Sequence, residues 1–331
     1  MTAPEDSGGP SLGSVESWDL DEYTDQVGPW DVRLDKVSSG AFHSAMRFLK
    51  LPGITLYDEH WEHHVVVHGS PPEGLVVLGT NLASHESDVK WCGQTIDTGK
   101  FACAEGAAEI DFVMPDRGHD AVMLIDPHLF EQAIGGDARE RINSSSHIDF
   151  DSLRGKNLVH TMVYLLEDYH NHSALLQLEG EVERARSLLL SAIAGCFENP
   201  TDGLLIQSPS QREEALHRAL THIEQNVLVT SARETAQVAG IGQRTLELLF
   251  REELGTTPGK FLGLARLNHC YHELFHADPQ SDSVTEIAHR CGFTHHGRFA
   301  RAYREHFGEL PSRTLGKGHS YQRQAMLNPP I

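Results

Sequence analysis

Apolar positions along the chain follow two different periods. Between Trp30 and about Phe130, short apolar runs such as His64 to His68 (HVVVH) and Leu75 to Leu78 (LVVL) are separated by turns rich in Gly, Pro and Asp. Many short runs at this spacing are typical of antiparallel strands, and they predict a small barrel or sandwich. From about Asp149 to Cys196 the spacing becomes helical and forms two apolar stripes.

The C-terminal third carries the pattern of a helix, a tight turn and a second helix. Ser283, with Glu286 three residues later, has the spacing of a capping box at a helix start. Gly292 suits the left-handed residue that ends this helix, and Thr294 is placed to cap the next one. The second helix has an apolar face and ends in Gly and Pro: Phe299, Tyr303, Phe307, Gly308 and Pro311. The pattern predicts a helix-turn-helix motif.

The same pattern occurs a second time between Thr235 and Pro258 (TAQVAGIGQRTLELLFREELGTTP). Its turn matches the later one at an offset of 52 residues, and its second helix matches at an offset of 53. The matched positions are core and cap residues: Ala236, Gly240, Ile241, Leu246, Phe250, Leu254, Gly255 and Pro258 against Ala288, Gly292, Phe293, Phe299, Tyr303, Phe307, Gly308 and Pro311. The opposite faces differ, as expected of two copies of one scaffold that read different partners.

Together the two motifs resemble the DNA-binding domain of the AraC/XylS family of bacterial transcription regulators. The resemblance covers about a third of the chain and rests on Ala236, Gly240, Arg244-Thr245-Leu246, Phe250, Gly255-Thr256-Thr257-Pro258, Arg266-Leu267, Ile287-Ala288, Cys291-Gly292-Phe293, Arg298-Phe299, Tyr303-Arg304 and Phe307-Gly308-Glu309-Leu310-Pro311-Ser312. The segment GFTHHGRFARAYREHFGELPSRTL looks most similar to the ethanolamine-utilisation-regulator branch. The resemblance implies a cupin-like sensor ahead of the DNA-binding domain.

The predicted fold class is an α+β multidomain chain. It has an N-terminal cupin-like antiparallel β-barrel sensor, a helical linker or dimerisation segment, and a C-terminal all-α domain whose two helix-turn-helix motifs are joined by a long helix from Pro258 to about His276. The boundaries are 1–28 for a disordered acidic tail with a short docking helix, 29–148 for the ligand-sensing domain, 149–208 for the helical segment, 209–316 for the DNA-binding domain and 317–331 for a C-terminal tail. The helices of 149–208 either form a dimer contact or only pack on the barrel. Arg266, in the long helix, is expected to brace the two halves.

The expected DNA contacts lie on the faces of the two recognition helices that are opposite the core. In the first helix Gln243 suits adenine, Arg244 suits guanine, and Glu247 can accept a hydrogen bond from cytosine. In the second helix Gly297 and Ala300 have no hydrogen-bonding side chain, so this helix is expected to rely on arginines and phosphates. The expected DNA-binding residues are Gln243, Arg244, Glu247, Leu248, Arg251, His295, His296, Arg298, Arg301 and Arg304.

The formal net charge of −20 opposes DNA binding until its distribution is considered. From Gln211 onward the chain has 14 Lys and Arg against 13 Asp and Glu, so the first 210 residues have 13 against 34. Only the C-terminal part is near neutral. We therefore expect the acidic N-terminal part to face away from the duplex.

Composition also limits the class of protein. No run of 18 apolar residues predicts a membrane span, and five scattered cysteines without a CxxC pair favour a reduced, cytoplasmic protein. No P-loop, dinucleotide fingerprint or nucleophile elbow is present, so we expect no enzyme, no catalytic residue and no cofactor. The expected partners are double-stranded DNA, a small-molecule effector of unknown identity and unassigned contacts, RNA polymerase and a second copy of the chain, with the protein acting as an activator.

A histidine-rich stretch supports a rival hypothesis. His60, Glu62, His63, His64 and His68 are residue types that bind metals, and they suggest a metal-dependent cupin enzyme or a metal sensor with an appended helical domain. His60-Trp61-Glu62 does not supply an HxH pair, and only His119 and His128 are candidates for further ligands. We therefore expect no metal site and interpret the histidines as surface or core residues.

Overall fold

The computed structural model describes residues 9–26, 30–83, 89–98, 100–105, 109–135, 145–149, 152–197, 205–207 and 210–318. Its strands are β1 (Ser11–Ser17), β2 (Asp31–Lys36), β3 (Ser44–Leu51), β4 (Ile54–Trp61), β5 (Val65–Ser70), β6 (Val76–Asn81), β7 (Lys90–Trp91), β8 (Gln94–Thr95), β9 (Lys100–Glu105), β10 (Ile110–Met114), β11 (Gly118–Ile125), β12 (Ser145–Asp149) and β13 (Leu205–Gln207). Its helices are α1 (Leu20–Gln26), α2 (Pro127–Ile134), α3 (Ser152–Asn171), α4 (Glu181–Phe197), α5 (Gln211–Asn226), α6 (Ala232–Val238), α7 (Gln243–Leu254), α8 (Pro258–His276), α9 (Val284–Arg290), α10 (His296–Phe307) and α11 (Pro311–Thr314), with a 3-10 turn at Ser173–Gln177.

The N-terminal domain is built from two antiparallel sheets. One sheet has the order β1-β3-β4-β11-β6-β9-β12-β13, and the other has the order β2-β5-β10-β7-β8. Within the described residues neither sheet closes on itself or on the other. The strands therefore form an open two-sheet sandwich, one of the two arrangements that the strand pattern allowed, and the predicted cupin-like barrel is not closed. Short-run periodicity predicts strands, but it does not distinguish a sandwich from a barrel.

The prediction of a disordered tail is wrong for Ser11–Ser17. These residues form β1, which pairs in antiparallel register with the whole of β3, from Ser11 opposite Lys50 to Ser17 opposite Ser44. The segment is polar because it is an edge strand, and composition alone mistakes such a strand for a tail. The predicted short helix that follows is present as α1 and is docked by buried Leu20 and Tyr23. Residues 1–8 lie outside the described residues.

The helical segment packs on the outer face of the eight-stranded sheet. Buried residues of α3 and α4, among them Leu165 and Ile193, share a core with Leu56 and Phe101 of that sheet. Leu205–Gln207 then pairs with β12 as the last strand of the sheet, so the predicted linker 149–208 is partly strand. The rest of the expected linker, residues 198–204, lies outside the described residues.

The C-terminal domain has the predicted helical organisation. A capping box at Ser210 and Glu213 begins α5, and α8 has the predicted bounds Pro258–His276. Residues of α5, α7 and α8, including Leu216 and Phe250, form one core with three valines of the sandwich, Val37, Val66 and Val113. The expected tail is outside the described residues from 319 onward.

A second core is continuous between the sandwich and the second helix-turn-helix motif. It joins Leu34 and Phe42 of the sandwich to Tyr271 of α8 and Phe307 of α10. All five cysteines are buried and none is in a disulfide bond: Cys92, Cys103, Cys196, Cys270 and Cys291. None of the described helices is both long and apolar enough to cross a membrane.

Candidate nucleic-acid interface and effector cavity

The first helix-turn-helix motif consists of α6, a glycine turn and α7. The Ser231 hydroxyl caps α6 by accepting a hydrogen bond from the Glu234 amide at 3.3 Å. Gly240 has a φ of +74°, a left-handed conformation that favours glycine. Gly242 then precedes α7 in extended conformation and supplies no side-chain cap. Leu246 and Phe250 face the core, so the opposite face of α7 is turned outward.

The second motif repeats this geometry with one difference. Ser283 caps α9 through the Glu286 amide at 3.3 Å, and Gly292 has a φ of +84°. The predicted cap of the next helix is wrong, because α10 begins after His295 and not after Thr294. The insertion of one residue in this turn, read from the offsets of 52 and 53, moves the helix start by one position.

All ten residues expected to bind DNA are exposed at the surface. On α7 these are Gln243, Arg244, Glu247, Leu248 and Arg251, and at the start of α10 and along it they are His295, His296, Arg298, Arg301 and Arg304. In each helix they lie opposite the buried face, where Leu246 and Phe250 or Phe299 and Tyr303 pack. The structure thus brings the predicted residues into two outward-facing rows.

Few internal contacts hold the charged side chains of these rows. Arg301 donates to Glu305 at 2.8 Å, one turn along the same helix. Within the part of the chain that the structure describes, no ion pair involves Arg244, Arg251, Arg298 or Arg304. Arg266 instead donates to the carbonyls of Val227 at 2.9 Å and Thr230 at 2.8 Å. It braces α8 against the loop before α6, in one motif, whereas we expected it to brace both halves.

The sandwich holds the C-terminal ends of both recognition helices with lysines. Lys90 of β7 donates to the Glu252 carbonyl at 2.7 Å and to the Glu253 carboxylate at 2.8 Å. Lys36 of β2 donates to the His306 carbonyl at 2.5 Å. A cation at a helix C-terminus satisfies free carbonyls and the helix dipole. The two motifs are therefore fixed to the same domain at equivalent points.

A cavity lies between the two sheets of the sandwich. It is lined by eighteen residues from both sheets, and six of them are aromatic: Tyr23, Trp30, Tyr57, Trp61, Trp91 and Phe112. Two carboxylates, Glu59 and Asp120, also line it. Burial raises the pKa of Glu59 to about 7, with the charge of Asp58 adding to the effect. Burial and the charge of Glu59 raise the pKa of Asp120 well above its usual value.

The sequence of β4 contains a signal for this cavity that the length of its apolar run does not reveal. Tyr57, Glu59 and Trp61 alternate along β4, so all three share one face of the strand. A carboxylate between two aromatic residues on an inward face is unusual, because burying a charge is costly. The facing residues of the second sheet follow only from the fold.

The structure brings the histidines into clusters that spacing along the chain could not show. His60 and His119 are cross-strand neighbours, their rings stack at 3.8 Å, and they can hold a metal together with Asp58. Asp58 also binds the Arg47 guanidinium, whose positive charge opposes a metal cation there. His64 precedes β5, whereas His68 lies within it, so the two histidines are not on one strand.

A further group that could hold a metal joins the sandwich to α5. His68 Nδ1 lies 2.5 Å from Asp111 Oδ1, and His217 Nδ1 lies 2.8 Å from Asp111 Oδ2. The remaining ring nitrogens face carboxylates, His68 Nε2 at 3.2 Å from Glu224 and His217 Nε2 at 3.3 Å from Glu109. This ring of opposite charges is a domain contact in its own right.

Two outward-facing recognition helices, joined by a long helix and based on capped tight turns, define a DNA-binding domain with two helix-turn-helix motifs. Residues 235–317 match the helix-turn-helix domain family. Relatives that match this part of the chain are regulators of transcription. The matches confirm the predicted helix-turn-helix domain and its similarity to regulators of this kind.

Two relatives and one solved structure illustrate the similarity. The chain is 42% identical over 94 residues to the probable thc operon regulatory protein of Rhodococcus erythropolis, covering 28% of this chain and 27% of that one. It is 37% identical over 107 residues to XylDLEGF operon transcriptional activator 1 of Pseudomonas putida, covering 32% of each. The crystal structure of the AraC-like transcriptional activator CuxR aligns with 80% of this chain and 96% of that one, at 15% identity and a TM-score of 0.44. The chain thus spans less than a third of either curated relative.

Proposed function

We propose that the protein is a ligand-responsive, sequence-specific DNA-binding regulator of transcription. The observation that carries the proposal is the repeat itself: two capped helix-turn-helix motifs present equivalent exposed rows of polar and basic residues on α7 and α10. The rows differ in chemistry while their cores match. A scaffold that keeps its core and varies its outer face is suited to reading two different segments of one duplex.

The two recognition helices take different tasks in this proposal. On α7, Gln243, Arg244 and Glu247 read base edges in the major groove, with Leu248 and Arg251 flanking them. On α10, Gly297 has open space around it and permits a close approach of the backbone. The arginines of α10 then bind mainly phosphate. At about 1.5 Å per residue, α8 spans about 27 Å, which is comparable with the ~34 Å between successive major grooves on one face of DNA.

The effector binds the cavity between the sheets, which is lined by residues of 29–148 and by Tyr23 of α1. Helix α1 links that cavity to the DNA-binding domain. Its Tyr23 lines the cavity, while Asp19, just before it, accepts a hydrogen bond from the Tyr271 hydroxyl of α8 at 2.5 Å. Asp21 of the same helix lies 3.1 Å from His272 of α8. An occupant that displaces Tyr23 therefore changes the contact that holds α8.

The remaining features of the proposal concern assembly and setting. Two copies associate through the outer faces of α3 and α4, where Tyr164 and Leu188 are exposed. The regulator acts as an activator in the cytoplasm, contacts RNA polymerase and has no catalytic role or cofactor. Its closer kinship with ethanolamine-utilisation regulators rests on the C-terminal motif alone and assigns no cavity residue.

One observation favours a rival function as a metal sensor. Asp58, His60 and His119 lie close enough to share one ion, although Arg47 occupies the same carboxylate. Metal analysis of the protein purified without chelators separates the two proposals. One bound ion per chain that is lost in His119→Ala supports the sensor, and a metal content far below one per chain removes it.

The test of DNA recognition is an unbiased selection of duplexes by the full-length protein at near-physiological salt. A bipartite motif with two parts one helical turn apart supports both helices as readers. A single half-motif assigns base reading to α7 alone. No enriched sequence, with the protein folded and monodisperse, overturns the proposal.

A further inference from the structure

The shape of the cavity between the sheets limits its occupant to a small molecule. The cavity volume is about 70 Å³, whereas a single water molecule needs about 10–15 Å³. The space therefore holds a molecule of several non-hydrogen atoms.

The walls of the cavity are those of an aromatic cage. Six aromatic residues surround it, and the remaining walls are mostly aliphatic, from residues such as Val67, Ile96 and Val122. Aromatic faces carry partial negative charge and attract cations within about 6 Å of the ring centre. Apart from two carboxylates, few polar side chains line the cavity, and Thr80 has the one hydroxyl besides the tyrosines among the lining residues.

Two carboxylates lie side by side in this cage. Glu59 of β4 and Asp120 of β11 are direct cross-strand partners, so their side chains share one face about 5 Å apart at Cβ. Asp120 is 2% exposed, and Glu59 keeps some accessible surface because it lines the cavity. Like charges placed directly opposite each other on adjacent strands are destabilising. Such a pair requires a positive charge or a proton between its members.

The protein supplies neutral hydrogen-bond donors to these carboxylates but no cation. The Tyr23 hydroxyl donates to Glu59 at 2.8 Å, and the Trp61 indole donates to Asp120 at 3.0 Å. Among the described residues that line the cavity, none is Lys, Arg or His. Elsewhere in the described chain, buried acids have such a partner, as Asp111 has His68 and His217. The lining of the cavity thus has two carboxylates and no positively charged side chain beside them.

We propose that the effector is a small organic amine or ammonium ion, held by the Glu59–Asp120 pair and the aromatic cage. This inference rests on the proposed function, which places the effector in the same cavity. The cation takes the place of the proton that the carboxylate pair holds when the cavity is empty, and the released proton enters solvent. The Tyr23 hydroxyl lies beside the same carboxylate, so the ligand acts directly on α1.

Four probes of similar size test the charge preference: butylamine, tetramethylammonium, 1-butanol and butyrate. Three of the four tryptophans, Trp30, Trp61 and Trp91, line the cavity, so intrinsic fluorescence of the full-length protein reports binding. At pH 8 both cations are expected to bind about tenfold or more tightly than 1-butanol and butyrate. Calorimetry in buffers of different ionisation enthalpy should show proton release with the cations, and their affinity should rise from pH 6 to pH 8.

Two variants assign the preference to the carboxylate pair. Glu59→Gln and Asp120→Asn should each reduce cation affinity about tenfold or more and leave 1-butanol binding within about twofold. Glu131→Gln, at an exposed position of α2, is the matched control and should not change binding. Melting curves establish that each variant is folded, and either folded variant suffices for the test.

Three results would overturn the inference: butyrate binding more tightly than butylamine, equal affinity for charged and neutral probes, or cation binding that survives both substitutions. Cation probes whose affinity is no higher than that of 1-butanol also contradict the inference. The duplex selection described above is run on the same protein sample. A DNA motif without cation preference rejects only the ligand class, whereas loss of both results rejects the proposed function as well.

Discussion

Arg244 and Arg304 are both exposed on recognition helices, but they differ in what they can reach. Arg244 lies in the first turn of α7, and Arg304 lies near the C-terminal end of α10. The N-terminal residues of a recognition helix meet base edges, and later residues meet the backbone of the duplex. The same side chain is therefore expected to have different consequences at the two positions.

Replacing Arg244 by Ala should cost about 1–3 kcal/mol at the selected site and relax base preference at one position, because a bidentate contact to guanine is lost. Replacing Arg304 by Ala should weaken binding to all sequences alike and reduce the salt slope by about one. Binding curves at several salt concentrations on selected and mismatched duplexes measure both effects. An unchanged sequence preference in Arg244→Ala would contradict the assignment of base reading.

The ring of opposite charges that joins the sandwich to α5 around Asp111 makes the stability of the fold depend on pH. Burial alone would lower the pKa of His68, but hydrogen bonds and charges from Asp111 and Glu224 outweigh it and raise the pKa to about 10. The unfolded side chain has a pKa near 6.5. The folded protein therefore binds more protons between about pH 6.5 and 10, so the stabilisation by His68 is complete below that window and lost as pH rises through it.

Urea unfolding at pH 6.5 and at pH 9 should show this loss in the native chain and a smaller one in His68→Gln. The difference in unfolding free energy between the two proteins is compared because Lys36 also titrates in this window. Burial lowers the pKa of Lys36 to about 7, so its contribution to stability changes with pH in the opposite direction. A difference of a few kcal/mol at pH 6.5 that shrinks by pH 9 is expected. If the difference in unfolding free energy between the two proteins does not change with pH, the charge on His68 does not stabilise the fold.

At the residue scale, helical periodicity was enough to predict which side chains of α7 and α10 are exposed, because core and surface positions alternate around a helix. The cavity was not predictable in the same way. Glu59 and Asp120 are 61 positions apart in the chain and meet only because β4 and β11 pair. Cross-strand register depends on the whole sheet, and single-sequence patterns do not contain it.

At the scale of elements, the two lysines that meet the C-terminal ends of α7 and α10 are the contacts most open to test. Both come from strands of the five-stranded sheet, and both bind a helix-end carbonyl. They fix the spacing of the recognition helices relative to the sandwich. Loss of one should free one helix end and leave the other in place.

Lys90→Met should loosen α7 at a cost of about 1–3 kcal/mol, the usual range for a hydrogen bond to a charged group. Hydrogen exchange of the amides of Gly255, Thr256 and Thr257 should speed up, while exchange at Gly308 stays the same. Lys260→Met, at an exposed position of α8, is the control. Equal acceleration at both helix ends, or at neither, would show that Lys90 does not hold α7 independently.

The bounds of helices and strands were predicted best where the sequence has clear start and stop residues. The predicted start of α8 at Pro258 is confirmed. The structure adds its cap, the Thr257 hydroxyl, which accepts a hydrogen bond from the Lys260 amide at 3.3 Å. The edge strand Ser11–Ser17 was missed because its side chains are small and polar and its order comes from pairing with β3. The strand conformation of this segment depends on its pairing with β3, and the composition of the segment alone does not predict it.

At the scale of the whole molecule, the acidic and near-neutral parts of the chain are held together by specific charge pairs. Asp19 accepts from Tyr271 and from Lys317, the latter at 3.0 Å. It is 1% exposed. This carboxylate connects α1, whose Tyr23 lines the cavity, to both α8 and the segment after α11.

Asp19→Asn should therefore separate ligand binding from its effect on DNA. Affinity for butylamine should stay within about twofold, while the ligand-induced change in DNA affinity, typically 5–150-fold in such coupled systems, should fall towards one. Fluorescence titration and duplex binding with and without the amine measure the two quantities on one sample. Retention of the full effect in Asp19→Asn would place the coupling in another contact.

The five-stranded sheet has both of its faces covered, and this limits how the chain could be recombined. Val65 and Val67 of β5 face the sandwich core, while Val66 between them joins the core of the first helix-turn-helix motif. A DNA-binding domain that begins at Ser210 would expose the apolar surface that Val37, Val66 and Val113 cover in the whole chain. A fusion of this domain to another sensor domain would need valines at equivalent positions, so the two domains of this chain cannot be exchanged independently.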